Sequence, residues 1–71
     1  MTKKPDLPKK GEIWMRWGTL VTILDVIESG LVGIQLVQFM TPDSFMGSVD
    51  SHTWRASTLD GNSYAVAKVE D

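Results

Sequence analysis

Residues 19–40, TLVTILDVIESGLVGIQLVQFM, hold two runs dense in Val, Ile and Leu on either side of Ser29-Gly30, a dipeptide that favours tight chain reversal. β-branched residues fill at least half of the first run, and no capping box opens it. Such side chains lose rotamer freedom in a helix and pack well on a pleated sheet. The stretch therefore predicts one long hairpin, with strands over 19–28 and 31–40, and the shorter flanking segments fold over it. In the first strand Leu20, Leu24 and Val26 share one parity and Val21, Ile23 and Ile27 the other, so neither face is cleanly polar. Asp25 interrupts the apolar run and marks a bulge or a sharp bend. In the second strand Val32, Ile34 and Leu36 share the expected core face, and Gly33 permits close approach of another strand or a ligand.

The flanks carry the tryptophans. EIWMRW, residues 12–17, has a period of two, with Ile13, Met15 and Trp17 on one side and Glu12, Trp14 and Arg16 on the other. Gly18 allows the turn that follows. After the loop Thr41-Pro42-Asp43-Ser44, residues 45–49 form a short strand. Asp50 or Ser51 then caps a single 3₁₀ turn over 51–55 that presses Trp54 into the core. A strand resumes over 56–59, Asp60-Gly61-Asn62-Ser63 reverses the chain, and 64–69 is the last strand. Five or six short strands leave open edges unless the sheet closes on itself. The expected fold is all-β, a small antiparallel barrel with Ile13, Val21, Ile23, Val32, Ile34, Leu36, Val49, Trp54 and Leu59 inside.

At 71 residues there is room for one domain, near the lower end of what a single core sustains, and with no cysteine it has neither disulfides nor thiolate metal ligands to staple it. Residues 1–10 hold four lysines against one aspartate, a net of +3, with two prolines and few apolar groups. They are expected to be a flexible basic tail on a single domain over 11–71. That domain sets three cations against eight acids, a net of −5, which opposes a broad nucleic-acid surface. No apolar run reaches the ~20 residues of a spanning helix, and no apolar stretch follows the N-terminal charges, so a cytoplasmic protein without membrane contact is expected.

Gly11-Glu12-Ile13-Trp14, then a long bent hairpin, a short strand, a one-turn segment ending in an aromatic and a final strand, resembles the SH3-like small barrels of short phage- and plasmid-encoded proteins. In those a GxxW-type opening precedes a V-x-x-V-like run and a late aromatic or leucine, and the likeness covers 11–59. The chain is also similar to the plasmid-encoded type of dihydrofolate reductase, a short SH3-like barrel that builds one active pore from four subunits. That family's pore-lining V-Q-I-Y stretch has no counterpart in FMGSVDSHTW here, so no catalytic residue is carried over.

The chemistry-bearing residues are few. His52 is the only histidine and no acidic pair stands at ligand spacing beside it, so neither a metal site nor a cofactor is expected. Ser44, Ser48, Ser51 and Ser57 lack a nucleophile-elbow context, and the six glycines are scattered singly, so no phosphate loop forms. A non-enzyme is expected. Aromatic, Met and Arg side chains, the types concentrated at protein interfaces, are plentiful instead. The candidate contact residues are Trp14, Arg16, Trp17, Phe39, Met40, Phe45, Met46 and Arg55, centred on the 39–46 loop with whichever of Trp14 and Trp17 faces outward. The leading expectation is a phage or plasmid accessory module that binds a host protein, or a second copy of itself, and acts by occlusion. The alternatives are a nucleic-acid-binding SH3-like barrel using Arg16, Arg55, the lysine tail and an exposed Trp, and an oligomeric enzyme of the plasmid reductase kind.

Overall fold

The computed structural model describes residues 7–69; expectations for residues 1–6 and for Glu70-Asp71 lie outside them. In chain order the elements are β1 (Ile13–Arg16), β2 (Thr19–Glu28), β3 (Gln35–Met40), β4 (Met46–Asp50), α1 (Ser51–Leu59) and β5 (Ser63–Ala67). The strands form one antiparallel sheet in the order β4-β3-β2-β1-β5, with the ten-residue β2 at its centre. The closed barrel is not formed: among the described residues β4 and β5 are the two edges, and α1 carries the chain from one to the other.

The 3₁₀ turn expected at 51–55 and the strand expected at 56–59 are replaced by a single nine-residue α-helix. Both ends of it are capped. The Asp50 carboxylate accepts from the Thr53 amide (3.0 Å) and hydroxyl (2.7 Å), satisfying orphan donors of the first turn. At the other end the Asp60 and Gly61 amides donate to the Ala56 and Thr58 carbonyls, with Gly61 at φ +80. Three buried serines join the helix to the sheet. The Ser51 hydroxyl accepts from the Gln35 amide (3.1 Å), and Ser57 and Ser63 share a buried hydrogen bond of 2.7 Å.

The registers fix which residues share a face. Trp14 pairs with Val21 and Ala65, Ile23 with Phe39, and Val26 with Val37 and then Val49, all on the side covered by α1. Trp14, Val21, Ile23, Val37 and Trp54 are the buried hydrophobic core, with the Trp14 and Trp54 rings edge to face at 5.4 Å and 67°. Val21, Ile23 and Trp54 lie where the sequence places them, and Val49 packs against the core. Ile13 does not: β1 has the opposite facing to that expected, with Glu12 and Trp14 inward. Val32 is fully exposed because the reversal takes residues 29–34 rather than a tight dipeptide. The Ser29 hydroxyl donates to the Ile34 carbonyl (2.8 Å) and accepts from the Leu31 amide (3.1 Å). Ile34 and Leu36 are only half-buried, and Leu59 ends α1 in solvent. Gly33, at φ +77 with open space around it, serves this loop and no close approach. The bulge read from Asp25 is present, with a register shift between Ile23 and Asp25.

Glu12 is the one buried carboxylate among the described residues, 3% exposed. Its Oε1 accepts from the Lys9 amide (2.8 Å) and the Trp14 indole (2.9 Å), and its Oε2 from the Val69 amide (3.1 Å). Residues 7–10 are consequently not a free tail: Pro8 is buried, and Leu7 packs against the core. Burial alone would raise the Glu12 pKa, but the three N–H donors and the positive charge of Lys68 together outweigh it and hold the group below its ordinary 4.5.

Two outcomes follow from these contacts. Trp54→Ala is expected to cost about 3–5 kcal/mol, enough to abolish cooperative melting in a domain with so small a core. Because the folded-state pKa of Glu12 is lowered, its contribution is complete above pH 4.5 and is lost as pH falls through the lowered value. Glu12→Gln is expected to cost about 2–3 kcal/mol at pH 7. The gap to wild type in urea melts should close as pH falls through the lowered Glu12 pKa, below 4.5.

Candidate functional site

The turn between β1 and β2 is two residues long, Trp17-Gly18, inside the Arg16–Thr19 pair. Both residues have positive φ, 52° and 79°, the geometry that matches the twist of a two-residue hairpin and that Asn-Gly normally fills. An L-residue of this bulk in the left-handed region costs roughly 1–2 kcal/mol. The Trp17 amide donates to the Asn62 carbonyl (2.8 Å), which holds the turn against the connection from α1 to β5. The indole itself stands out in solvent, 62% exposed.

The other hairpin tip at this end is the turn between β3 and β4. The Thr41 amide donates to the Phe45 carbonyl (2.9 Å), the Ser44 amide to the Thr41 carbonyl (3.0 Å), and the Thr41 hydroxyl to the Asp43 carboxylate. That last bond is the main reason the Asp43 pKa lies below its ordinary value. Ser44 has φ 69, and Phe45 and Met46 emerge 57% and 67% exposed. The pairings Arg16–Thr19, Thr22–Met40 and Met40–Met46 put both tips at one end of the sheet. Trp17, Phe45 and Met46 thus give that end an apolar surface.

The remaining expected contact residues are placed elsewhere. Trp14 is core. Arg16 turns inward, its guanidinium carbon 5.6 Å from the Trp54 ring centre and 5.7 Å from that of Phe39. Burial lowers the Arg16 pKa from its usual value. Among the described residues neither Arg16 Nε nor Trp54 Nε1 has a hydrogen-bond partner, and the guanidinium rests against the two rings. Phe39 is a half-buried member of β3 whose ring lies over Gly47, where a Cβ would come within 3.0 Å of it. Met40 is half-buried on the sheet face opposite α1, and Arg55 is half-buried on α1. The expected 39–46 loop is therefore narrower, 41–45, between two paired strands.

Among the described residues no group of three or more His, Cys, Asp or Glu gathers to hold a metal, and no helix is long and apolar enough to cross a membrane. Ser51, Ser57 and Ser63 spend their hydroxyls on the helix–sheet seam. The sequence reading missed Glu12 and these serines. The signal for Glu12 was its shared parity with Trp14, whose indole is the donor nearest in sequence.

Trp17→Gly is expected to relieve the backbone strain while removing the exposed ring, leaving unfolding free energy within about 1 kcal/mol of wild type in chemical denaturation. Comparison with protein families, with curated proteins and with solved structures finds no match to this chain.

Proposed function

We propose that this chain is a small SH3-like β-domain acting as a non-enzymatic protein-binding module, of the phage or plasmid accessory kind that modulates a host protein by occlusion. The observation that carries the reading is Trp17: a bulky aromatic kept at φ 52, exposed, at the same end of the sheet as exposed Phe45 and Met46. A folded chain gains nothing of its own by holding a strained Trp in water, and strain of this kind concentrates where surfaces recognise partners. Burying the three side chains against another protein is worth roughly 1.5–3 kcal/mol each. The strand order, a meander from β1 to β4 whose chain returns through α1 to pair beside β1, supports the SH3-like resemblance.

The distribution of cations favours a protein over a nucleic acid as the ligand. Arg16 is stacked inward on Trp54 and Phe39, while Lys9 and Lys68 flank Glu12, away from the Trp17 turn. The inward stacking of Arg16 and the place of Lys9 and Lys68 beside Glu12 support a protein ligand over a stacking platform with a phosphate track.

The test is capture from a bacterial lysate treated with nuclease, comparing wild type with Trp17→Ser combined with Phe45→Ser. A protein retained by the wild type and lost by the double variant, with unchanged circular dichroism, is the expected result. Retention by both, or loss of all captured material on nuclease treatment, overturns the reading.

A further inference from the structure

Along an antiparallel strand, successive residues turn their backbone polar groups to opposite sides, and bonds at two places fix that phase here. The Ile23 carbonyl accepts from the Gly11 amide (2.9 Å) and the Ile23 amide donates to the Glu12 carbonyl (2.8 Å), both on the β1 side. Its neighbour Thr22 therefore bonds to Met40 of β3, and Phe39 turns its own groups to Gly47 of β4. The Thr41 amide, bonded to the Phe45 carbonyl, gives the same phase from the turn. Met46 and Ser48 consequently direct their N–H and C=O groups away from β3, along the open edge of the sheet, and both residues are exposed.

Edges of this kind are ordinarily blunted by a bulge, a lysine or a proline. The β5 edge has such devices: its register with β1 shifts between Ile13 and Trp14, and Lys68 follows its last residue. The β4 edge has none of them. Its register runs unbroken from the pair of Met40 and Met46 to that of Leu36 and Asp50, and MGSVD contains neither Lys nor Pro. Beside it, on the face away from α1, Leu24, Gln38, Met46, Gly47 and Ser48 line an open cavity of about 410 Å³.

We infer that the β4 edge takes up an extended, basic segment of a partner protein as a further strand of the sheet. Main-chain bonds to Met46 and Ser48 supply the affinity, and the cavity receives alternate side chains of the added strand. Its walls suit a lysine or arginine: Leu24 and Met46 lie along the aliphatic stem, and the Gln38 and Ser48 side-chain oxygens accept from the cationic end. The inference rests on the protein-binding reading, whose exposed Phe45 and Met46 lead into this edge.

Charge selects the occupant. Between Arg16 and Arg55 the chain has no lysine or arginine, and it carries Asp25, Glu28, Asp43 and Asp50. Asp43 and Asp50 stand at the two ends of β4, and Asp25 is paired with Gln38. The arginines that bound this stretch lie on the α1 side, Arg16 stacked on the Trp54 and Phe39 rings and Arg55 on the helix itself. A second copy added edge to edge would bring these carboxylates together, whereas a basic strand neutralises them.

The probe is a synthetic peptide, acetyl-Gly-Lys-Val-Lys-Val-Lys-Gly-amide, with Glu in place of Lys as the control. Amide exchange followed by NMR is expected to show slowed exchange at Met46 and Ser48 with the lysine peptide at up to about 1 mM, weakening with added salt, and no change with the control. Ser48→Pro removes an outward N–H that β3 does not use, so it is expected to keep the wild-type circular dichroism and lose peptide binding. Asp43→Asn with Asp50→Asn keeps the acceptors of the turn and the helix cap, and is expected to weaken the peptide about fivefold. Unchanged exchange at Met46 and Ser48, equal binding of the control, or full binding by folded Ser48→Pro overturns the inference. A lysate protein that Ser48→Pro captures as well as wild type leaves the proposed function standing while strand addition falls; a wild type that captures no protein removes the proposed function itself.

Discussion

The Glu12 carboxylate holds together parts of the chain that no sheet ladder joins. It accepts from Lys9 ahead of β1, from the Trp14 indole within β1, and from Val69 beyond β5. A buried carboxylate is expensive unless its lone pairs are met, and here three N–H groups meet them with Lys68 adding a favourable charge. The bond to Trp14 has a further effect, since it restrains an indole that makes the edge-to-face contact with Trp54. Trp54 is the apolar anchor of α1 and is fully buried. The position of the helix on the sheet therefore traces back, through two rings, to one carboxylate near the start of the domain.

The helix–sheet seam is polar where a larger domain would be apolar. Ser51 takes the free Gln35 amide at the start of β3, and Ser57 and Ser63 bond each other where α1 runs over β5. Small hydroxyls let helix and sheet approach closely in a core that, among the described residues, has five buried hydrophobic side chains. Arg16 completes the layer with its guanidinium over the Trp54 and Phe39 rings, and Gly47 leaves the space that Phe39 fills. The two indole and guanidine donors without partners are the cost of using rings and not oxygens to hold a cation there.

Features set by local chemistry were legible in the sequence. Asp25 inside an apolar run announced the bulge, Gly18 the first turn, and Asp50 the start of the helical segment. Exposed Trp17, Phe45 and Met46 fell within the expected contact set. What was misread came from long-range pairing. In EIWMRW the parity that looked like the solvent face, with Glu12 and Arg16, is the core face, because one charge is met by N–H donors from distant residues and the other by rings. Phe39, Trp14 and Arg16 left the contact set for the same reason. The Ala56-Ser57-Thr58-Leu59 segment, with Thr58 its one β-branched residue, continues the helix, which Gly61 closes and the Ser57–Ser63 bond ties to β5. Val32 looked like core only if the reversal was a dipeptide, and the Ser29 hydroxyl makes it six residues long.

The ambiguity of β2 has the same physical root. A strand covered on one face alternates apolar with polar, whereas one needing cover on both reads as a near-continuous apolar run. β2 follows the second pattern: Val21, Ile23 and Val26 face the helix side, and Leu20 and Ile27 face away from it, relieved by Thr22 and Asp25. A nine-residue helix covers one side of a five-stranded sheet and no more. The composition of the central strand thus encodes a demand for burial that the described chain meets on one face only, and exposed Leu20 and Ile27 on the other face are where that demand is left.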